Sequence, residues 1–284
     1  MCRLYAQVAA GPERSRDLLV DAKFSLLRQA DADPANPQKD GWGMAWFGPD
    51  GRPRVTKSGK DAAAEKERFT RAADEAVAPV VIGHLRAASN PHVDAAYAHP
   101  FQDGDWVFIH NGTLTISREI ADALGARKAR LKTDSDSEIY FQQFLKHLEV
   151  AGDPSAAFEE CVKENWRLWR DCAPRYPDAA TPYTSLNAIA ADGRGVHALC
   201  HASRAGLGKH GVCHPDQPWS VMSYSTRGGR FVLTSEGVDA GEWTRLTPPE
   251  TISAVAVGSR VDVRRRALTL ADADGRPIPE VSRT

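Results

Sequence analysis

Cys2 carries the most chemical information in the chain. Removal of an initiator methionine is sterically easy before a small side chain, and it leaves a cysteine whose thiol and free α-amine share one residue. Such a residue is a nucleophile with a built-in base. An unperturbed α-amine titrates near ~7.7–8.0, so at neutral pH a useful fraction can take the thiol proton, directly or through one water, without a histidine. The plain alternative is a small residue at a frayed terminus.

The polar motifs that this nucleophile requires lie further along. Gly83-His84-Leu85-Arg86 closes an apolar stretch with an arginine. A guanidinium fork at a strand exit suits a substrate carboxylate, although a surface arginine is the bland reading. Ile109-His110-Asn111-Gly112 ends the next apolar stretch with an amide side chain and then a glycine whose N–H is unshielded. Those are two donors for an oxyanion, or simply an Asn-Gly turn. The segment 133–138 contains Asp134, Asp136 and Glu138 ahead of a helical pattern. A helix cap uses one acidic group, which leaves a spare carboxylate for a substrate ammonium. A substrate with both a carboxylate and an ammonium is an α-amino acid, and an N-terminal thiol beside an oxyanion hole performs acyl transfer on an amide. Glutamine fits both ends.

Met1-Cys2-Arg3-Leu4, Asp40-Gly41-Trp42-Gly43, His84-Leu85-Arg86-Ala87-Ala88-Ser89, Ala98-His99-Pro100-Phe101, His110-Asn111-Gly112 and Asp136-Ser137-Glu138 together resemble the class II glutamine amidotransferases. The likeness covers about the first 150 residues. Tyr183-Thr184-Ser185-Leu186-Asn187 and Thr234-Ser235-Glu236, with Trp243 beyond, are similar to a compact standalone branch of that family. The branch includes YafJ-like proteins and the ergothioneine-pathway γ-glutamyl amidohydrolase. The resemblance implies an α+β fold, the N-terminal-nucleophile (Ntn) hydrolase sandwich of four αββα layers with two mainly antiparallel sheets. It also implies a catalytic set of Cys2, Asn111 and Gly112, with Asn111 and Gly112 forming the oxyanion hole. Arg86 would bind the glutamine α-carboxylate and Asp136 its α-amine, with Ser89 and His99 at the pocket. Ala87 and Asn90 depart from the Trp and His that synthase-linked relatives often have. The implied reaction is cleavage of a γ-glutamyl amide through a Cys2 thioester, releasing glutamate and ammonia or an amine, with no metal or organic cofactor.

These residues need elements to position them. Apolar patterning predicts strands over 2–9, 44–47, 79–84, 106–110, 185–191, 196–201, 219–225, 230–234 and 252–257, the strands over 79–84 and 106–110 being apolar enough for burial on both faces. Helical spacing appears at Leu19, Val20, Phe24 and Leu27, at Ile116, Ile120 and Leu124, and at Tyr140, Phe144 and Leu148. A further helix carries Phe158, Val162, Trp166 and Trp169, opened by Asp153 as cap and Pro154 in the first turn. No long linker interrupts the chain, which predicts one domain over 1–284, with a core over 2–258 and a strand extension over 259–284.

With 36 Lys+Arg against 37 Asp+Glu the formal charge is -1, so there is no basic footprint for nucleic acid. The apolar runs are far shorter than the roughly 20 residues of a membrane-spanning helix, and the start lacks a secretory core, so the expected address is the cytoplasm. There the five cysteines should stay reduced. The expected partner is a small γ-glutamyl compound. A separate ammonia-accepting synthase and a homo-oligomer stay open. Glu13-Arg14-Ser15-Arg16, the Trp166/Trp169 helix and Arg264-Arg265-Arg266 are read as a solvated helix start, a packed apolar face and a charged edge strand. Beside an N-terminal-nucleophile amidase for a substrate other than a γ-glutamyl amide, which would not need both Arg86 and Asp136, two other readings compete. One is a non-catalytic γ-glutamyl-binding or partner-interaction protein. The other is a metal-dependent hydrolase using His84, His99, His110, Asp136 and Glu138, although no compact ligand spacing appears. Cys200-His201 and Cys213-His214 can each offer one ligand at most, since strand neighbours face opposite sides.

Overall fold

A computed structural model describes residues 2–34, 37–88, 92, 94–203, 211, 213–214, 216–218, 220–271 and 278. Ser89, Asn90, the expected strand start at Trp219 and most of the chain beyond 271 lie outside the described residues.

The first half contains β1 (Arg3–Arg14), β2 (Trp42–Phe47), β3 (Pro53–Ser58), α1 (Lys66–Glu75), β4 (Val77–Leu85), β5 (Phe101–Asp103) and β6 (Trp106–Asn111). Three helices follow, α2 (Ser117–Asp122), α3 (Asp136–Ala151) and α4 (Pro154–Cys172). The chain then returns to strands: β7 (Asn187–Asp192), β8 (Gly195–Cys200), β9 (Ser223–Arg227), β10 (Arg230–Thr234), β11 (Thr244–Arg245), β12 (Glu250–Val257) and β13 (Arg260–Ala267). They form two antiparallel sheets, ordered β11-β9-β10-β1-β4-β2-β3 and β13-β12-β8-β7-β6-β5.

Side-chain alternation along the strands builds the layers. Leu4, Ala6 and Val8 of β1 point between the sheets, where they join Val80, Ile82, Val107, Ile109 and Ile189. Tyr5 points outward and packs with Trp42, Met44 and Val81 against Phe69, Ala72 and Ala73 of α1. On the far side, Phe108, Ala188 and Ala190 pack under Tyr140, Phe141, Phe144 and Phe158 of α3 and α4. Helix, sheet, sheet, helix is the four-layer α+β arrangement expected from the motifs. Asp153 accepts the Ala156 N–H at 2.8 Å ahead of Pro154, the predicted α4 cap. No helix among the described residues is long and apolar enough to cross a membrane.

Several expectations need correction. The Leu19/Val20/Phe24/Leu27 pattern is no continuous helix but a π turn at Asp17–Asp21 and a 3-10 turn at Leu27–Ala30. Ser25 Oγ donates to Val20 O and Gln29 Nε2 donates to Phe24 O, so side chains bond the local backbone and break the ladder. Glu13 and Arg14 end β1 rather than starting a helix. β3, α1, β5 and β11 have no counterpart among the expected elements; the alanine-rich buried face of α1 is a weak periodic signal. Arg264, Arg265 and Arg266 do lie on the sheet edge, in β13.

Candidate active site

Cys2 stands at the start of β1, the central strand of its sheet, and its two neighbours bring the other groups to it. Arg3 pairs with Leu85 of β4, so Arg86 emerges beside Cys2. Tyr5 pairs with Thr234 of β10, so Ser235 and Glu236 emerge on the opposite side. Asn111 ends β6 of the facing sheet, and its Oδ1 accepts the Cys2 N–H at 3.1 Å. Three strand ends from two sheets thus converge on one sulfur.

Arg86 is held rather than loose. Its backbone pairs with the Asp40-Gly41 turn, through Arg86 N–H to Gly41 O at 2.8 Å and Asp40 N–H to Arg86 O at 3.1 Å. Its Nη1 donates to Asp40 O at 3.2 Å and to His92 O at 2.7 Å, and the residue is buried. The His92 ring stacks on Tyr97, whose hydroxyl donates to Asp134 at 2.7 Å. This chain of contacts links the Arg86 side of the site to the start of α3.

The acidic segment divides its tasks. Glu138 accepts from Lys132 N, Thr133 N and Thr133 Oγ1, and Asp134 takes the Tyr97 hydroxyl. Asp136, half-buried at the first turn of α3, accepts Leu114 N–H at 2.9 Å and Ser137 N–H at 2.8 Å. It is near enough to push the Cys2 thiol up electrostatically, as Arg86 pulls it down.

Burial is the largest influence on the Cys2 thiol and raises it above its ordinary value; a contact from Sγ to Ala87 O, 3.6 Å away, works against that. A thiol in this setting is not a ready thiolate. Gly112 follows Asn111 where a Cβ would collide with Ser185 O and crowd His110 Nε2, so only glycine fits here.

His99 lies behind this site. Its ring stacks on His84 with centroids 4.1 Å apart, it is buried, and neither ring nitrogen has a hydrogen-bond partner. His110 bonds Ser137 Oγ and Ser185 O, both at 3.0 Å. Burial pushes all three imidazoles below the ordinary histidine value, His84 to about 3. The described residues contain no group of three or more His, Cys, Asp or Glu placed to hold a metal. Cys200 faces the inter-sheet core, whereas His201 bonds Tyr183 on the other side at 2.7 Å, the opposed placement that strand geometry requires.

The structure therefore brings Cys2, Arg86, Asn111, Gly112 and Asp136 into one region and sets His99 behind it; Ser89 lies outside the described residues. Asp40, which holds Arg86 and accepts the Ala88 N–H at 2.8 Å, and the Arg3–Glu236 ion pair stand in the quoted motifs but carry no role in the sequence. Both follow or precede strands, so the visible signal was a charged residue at a strand boundary.

Comparison with known proteins agrees with this geometry. The family profile described as "Glutamine amidotransferases class-II" matches residues 1–212. A glutamine–fructose-6-phosphate aminotransferase (isomerizing) from Xanthomonas campestris pv. campestris is 32% identical over 83 residues, 29% of this chain and 14% of the relative. A γ-glutamyl-hercynylcysteine sulfoxide hydrolase from Mycolicibacterium smegmatis is 27% identical over 153 residues, 52% of this chain and 66% of the relative. The chain thus spans less than two thirds of the length of either relative. The solved structure of a glutamine aminotransferase class-II domain protein from Silicibacter pomeroyi superposes with a TM-score of 0.63 at 21% identity, covering 94% of this chain and all of that one. The chain belongs to the class II glutamine amidotransferases, enzymes that act on an amide bond.

Proposed function

We propose that the protein hydrolyses a γ-glutamyl amide, glutamine or a γ-glutamyl conjugate, through a thioester on Cys2 formed after Met1 is removed. The observation that carries this reading is the convergence of Cys2, Arg86 and Asn111 at three strand ends, locked by the 3.1 Å bond from Cys2 N–H to Asn111 Oδ1. Names of relatives in the family, which include glutamine and a γ-glutamyl conjugate, support the substrate class.

Each group has a task in this scheme. Arg86 takes the α-carboxylate and Asp136 the α-ammonium, which sets the γ-carbonyl beside Sγ. Because burial keeps the thiol protonated, a base is needed, and the freed α-amine of Cys2 is the nearest. The S–C bond forms as the thiol proton passes to the amine. Asn111 Oδ1 is engaged by the Cys2 nitrogen, so its Nδ2 is the donor left for the oxyanion, with the Gly112 N–H as second donor. The C–N bond then breaks as the amine returns the proton to the leaving nitrogen. Water, activated by the same amine, cleaves the thioester to glutamate and regenerates the thiol. His99 acts behind the pocket by packing against His84 at the end of β4. Released ammonia goes to solvent or to a synthase on another chain.

Mass spectrometry of the purified protein, followed by glutamate release from glutamine and γ-glutamyl alkylamides, tests the scheme. Loss of Met1, turnover, and covalent trapping of Cys2 by 6-diazo-5-oxo-norleucine are expected. A processed protein that releases no glutamate from any of these amides and leaves Cys2 unlabelled overturns it.

A further inference from the structure

The segment 94–100 folds tightly before β5, with Tyr97 N–H bonded to Asp94 O at 3.1 Å and Ala98 N–H to Ala95 O at 3.3 Å. It lies against the sheet edge where Lys57 of β3 pairs with Gly43 of β2. A Cβ on Gly43 would collide with His99 O, so the segment sits directly on the strand backbone. Three of its carbonyls converge on one cation. Lys57 Nζ donates to Ala98 O at 2.8 Å, with Pro100 O at 3.4 Å and Ala96 O at 3.5 Å, and stands 5.2 Å from the centre of the Phe101 ring. An ammonium has three donors, one for each of these carbonyls.

Lys57 is half-buried, and burial lowers it to about 8. Lys132 acts in the same direction, while Glu138 of α3 and Asp94 of the segment oppose it. Arg68 of α1 donates to Lys57 O at 3.2 Å, and the positive charge of Lys57 helps to keep His99 neutral. The same segment reaches both ends of the proposed glutamyl cradle. Tyr97 bonds Asp134, two residues before Asp136, and its ring stacks on His92, whose carbonyl takes Arg86 Nη1.

We propose that Lys57 is a positioning residue for glutamyl binding: its ammonium gathers the carbonyls of the 94–100 segment and thereby fixes, through Tyr97 and His92, the placement of Asp136 and Arg86. The inference rests on the amide-hydrolysis reading above, and Lys57 touches no substrate in it. The residue acts while charged, because loss of a proton turns charge-assisted bonds into neutral ones and removes one donor. Glutamyl binding therefore weakens as pH rises through about 8. The Cys2 α-amine works in the opposite sense, since its deprotonation supplies the base and raises kcat.

The test compares processed wild type with Lys57→Met, which keeps an apolar stem against Phe101 and removes the ammonium. KM and kcat for glutamine are measured from pH 7 to 9.5. At pH 7 the variant should show a KM ~10-fold higher with a smaller change in kcat, the scale of one lost bond to a charged group. The ratio of variant to wild-type KM should then fall by about threefold or more toward pH 9.5, where the wild type has lost its own charge. Titration of glutamine's α-amine is common to both proteins and cancels in the ratio. A role in packing alone gives a ratio that does not change with pH. An unchanged KM at pH 7, a ratio constant with pH, or a loss confined to kcat overturns the positioning role and leaves the amidase reading standing. No glutamate release by the processed wild type overturns both. If Lys57→Met does not fold, Lys57→Arg decides: a charge that persists at pH 9.5 should hold KM below the wild-type value there, and a KM that rises with pH as in the wild type overturns the proposal.

Discussion

Asn111 Oδ1 accepts the backbone N–H of Cys2 at 3.1 Å, and that single bond ties the end of a strand in one sheet to the start of a strand in the other. Cys2 and the amide beside it are positioned by the sandwich itself rather than by a loop. Asn111 thereby uses its acceptor on the protein, which leaves Nδ2 as the donor that the proposed reaction calls on.

Asn111→Asp separates those two tasks, because the carboxylate retains an acceptor for Cys2 N–H and loses the Nδ2 donor. The expected result is a fall in kcat of roughly 100–1,000-fold, the size seen when one oxyanion donor is lost. Thermal melting should change little. Glutamate release measured beside a melting curve checks both, and a variant of near wild-type rate removes Asn111 from the oxyanion site.

Gly112→Ala tests how tightly the proposed second donor is held. The added methyl would collide with Ser185 O, a backbone atom bonded to His110, so the strand end must shift. Overpacking of this kind costs about 1–3 kcal/mol, and the expected outcome is a lowered melting temperature together with a loss of kcat. An alanine variant with unchanged melting and rate means that the strand end yields freely.

Part of the candidate site was readable in the residues because Arg86 and Asn111 each close an apolar run. Arg86 follows a β4 whose Val80, Val81 and Ile82 are fully buried, and Asn111 follows the equally buried Val107, Phe108 and Ile109. An apolar run buried on both faces that ends abruptly in an arginine or an asparagine marks the rim of a sheet. Pairing was not readable: that β10 rather than β12 lies beside β1, which brings Glu236 to Arg3, depends on contacts more than 200 residues apart in sequence. The failed helix near Leu19 shows the other limit, since apolar spacing does not register that Ser25 and Gln29 bond the backbone in place of the ladder.

The buried imidazoles predict acid sensitivity. Burial lowers His84 to about 3 and His201 to about 4, and lowers His99 and His110 as well. Unfolded, each titrates near ~6.5, so below that pH the unfolded chain binds protons that the folded chain refuses. Stability therefore falls as pH drops from about 6.5 toward 3 to 4, by up to ~1.4 kcal/mol per pH unit for each such histidine. Melting temperatures at pH 7.5, 6.5 and 5.5 should decline steeply over the last interval. His99→Phe, which removes a ring with no hydrogen-bond partners, should flatten the decline; an equal slope in the variant locates the sensitivity elsewhere.

Arg86→Lys addresses the glutamyl end. The guanidinium already gives Nη1 to two backbone carbonyls, Asp40 O and His92 O, so its remaining N–H groups are the ones offered to a carboxylate in a fixed plane. Lysine keeps the positive charge but has no second arm: its ammonium can serve the carbonyls or a substrate carboxylate, not both in the same geometry. The variant should raise KM for glutamine by ~10-fold or more, the scale of one lost charge-assisted bond, with a smaller change in kcat. A fall confined to kcat, with KM unmoved, would mean that Arg86 acts on the thiol through the placement of its charge instead. The rate of Cys2 alkylation by iodoacetamide, which needs no glutamyl head, separates these cases: it stays near the wild-type value if Arg86 serves the substrate and changes if Arg86 serves the sulfur.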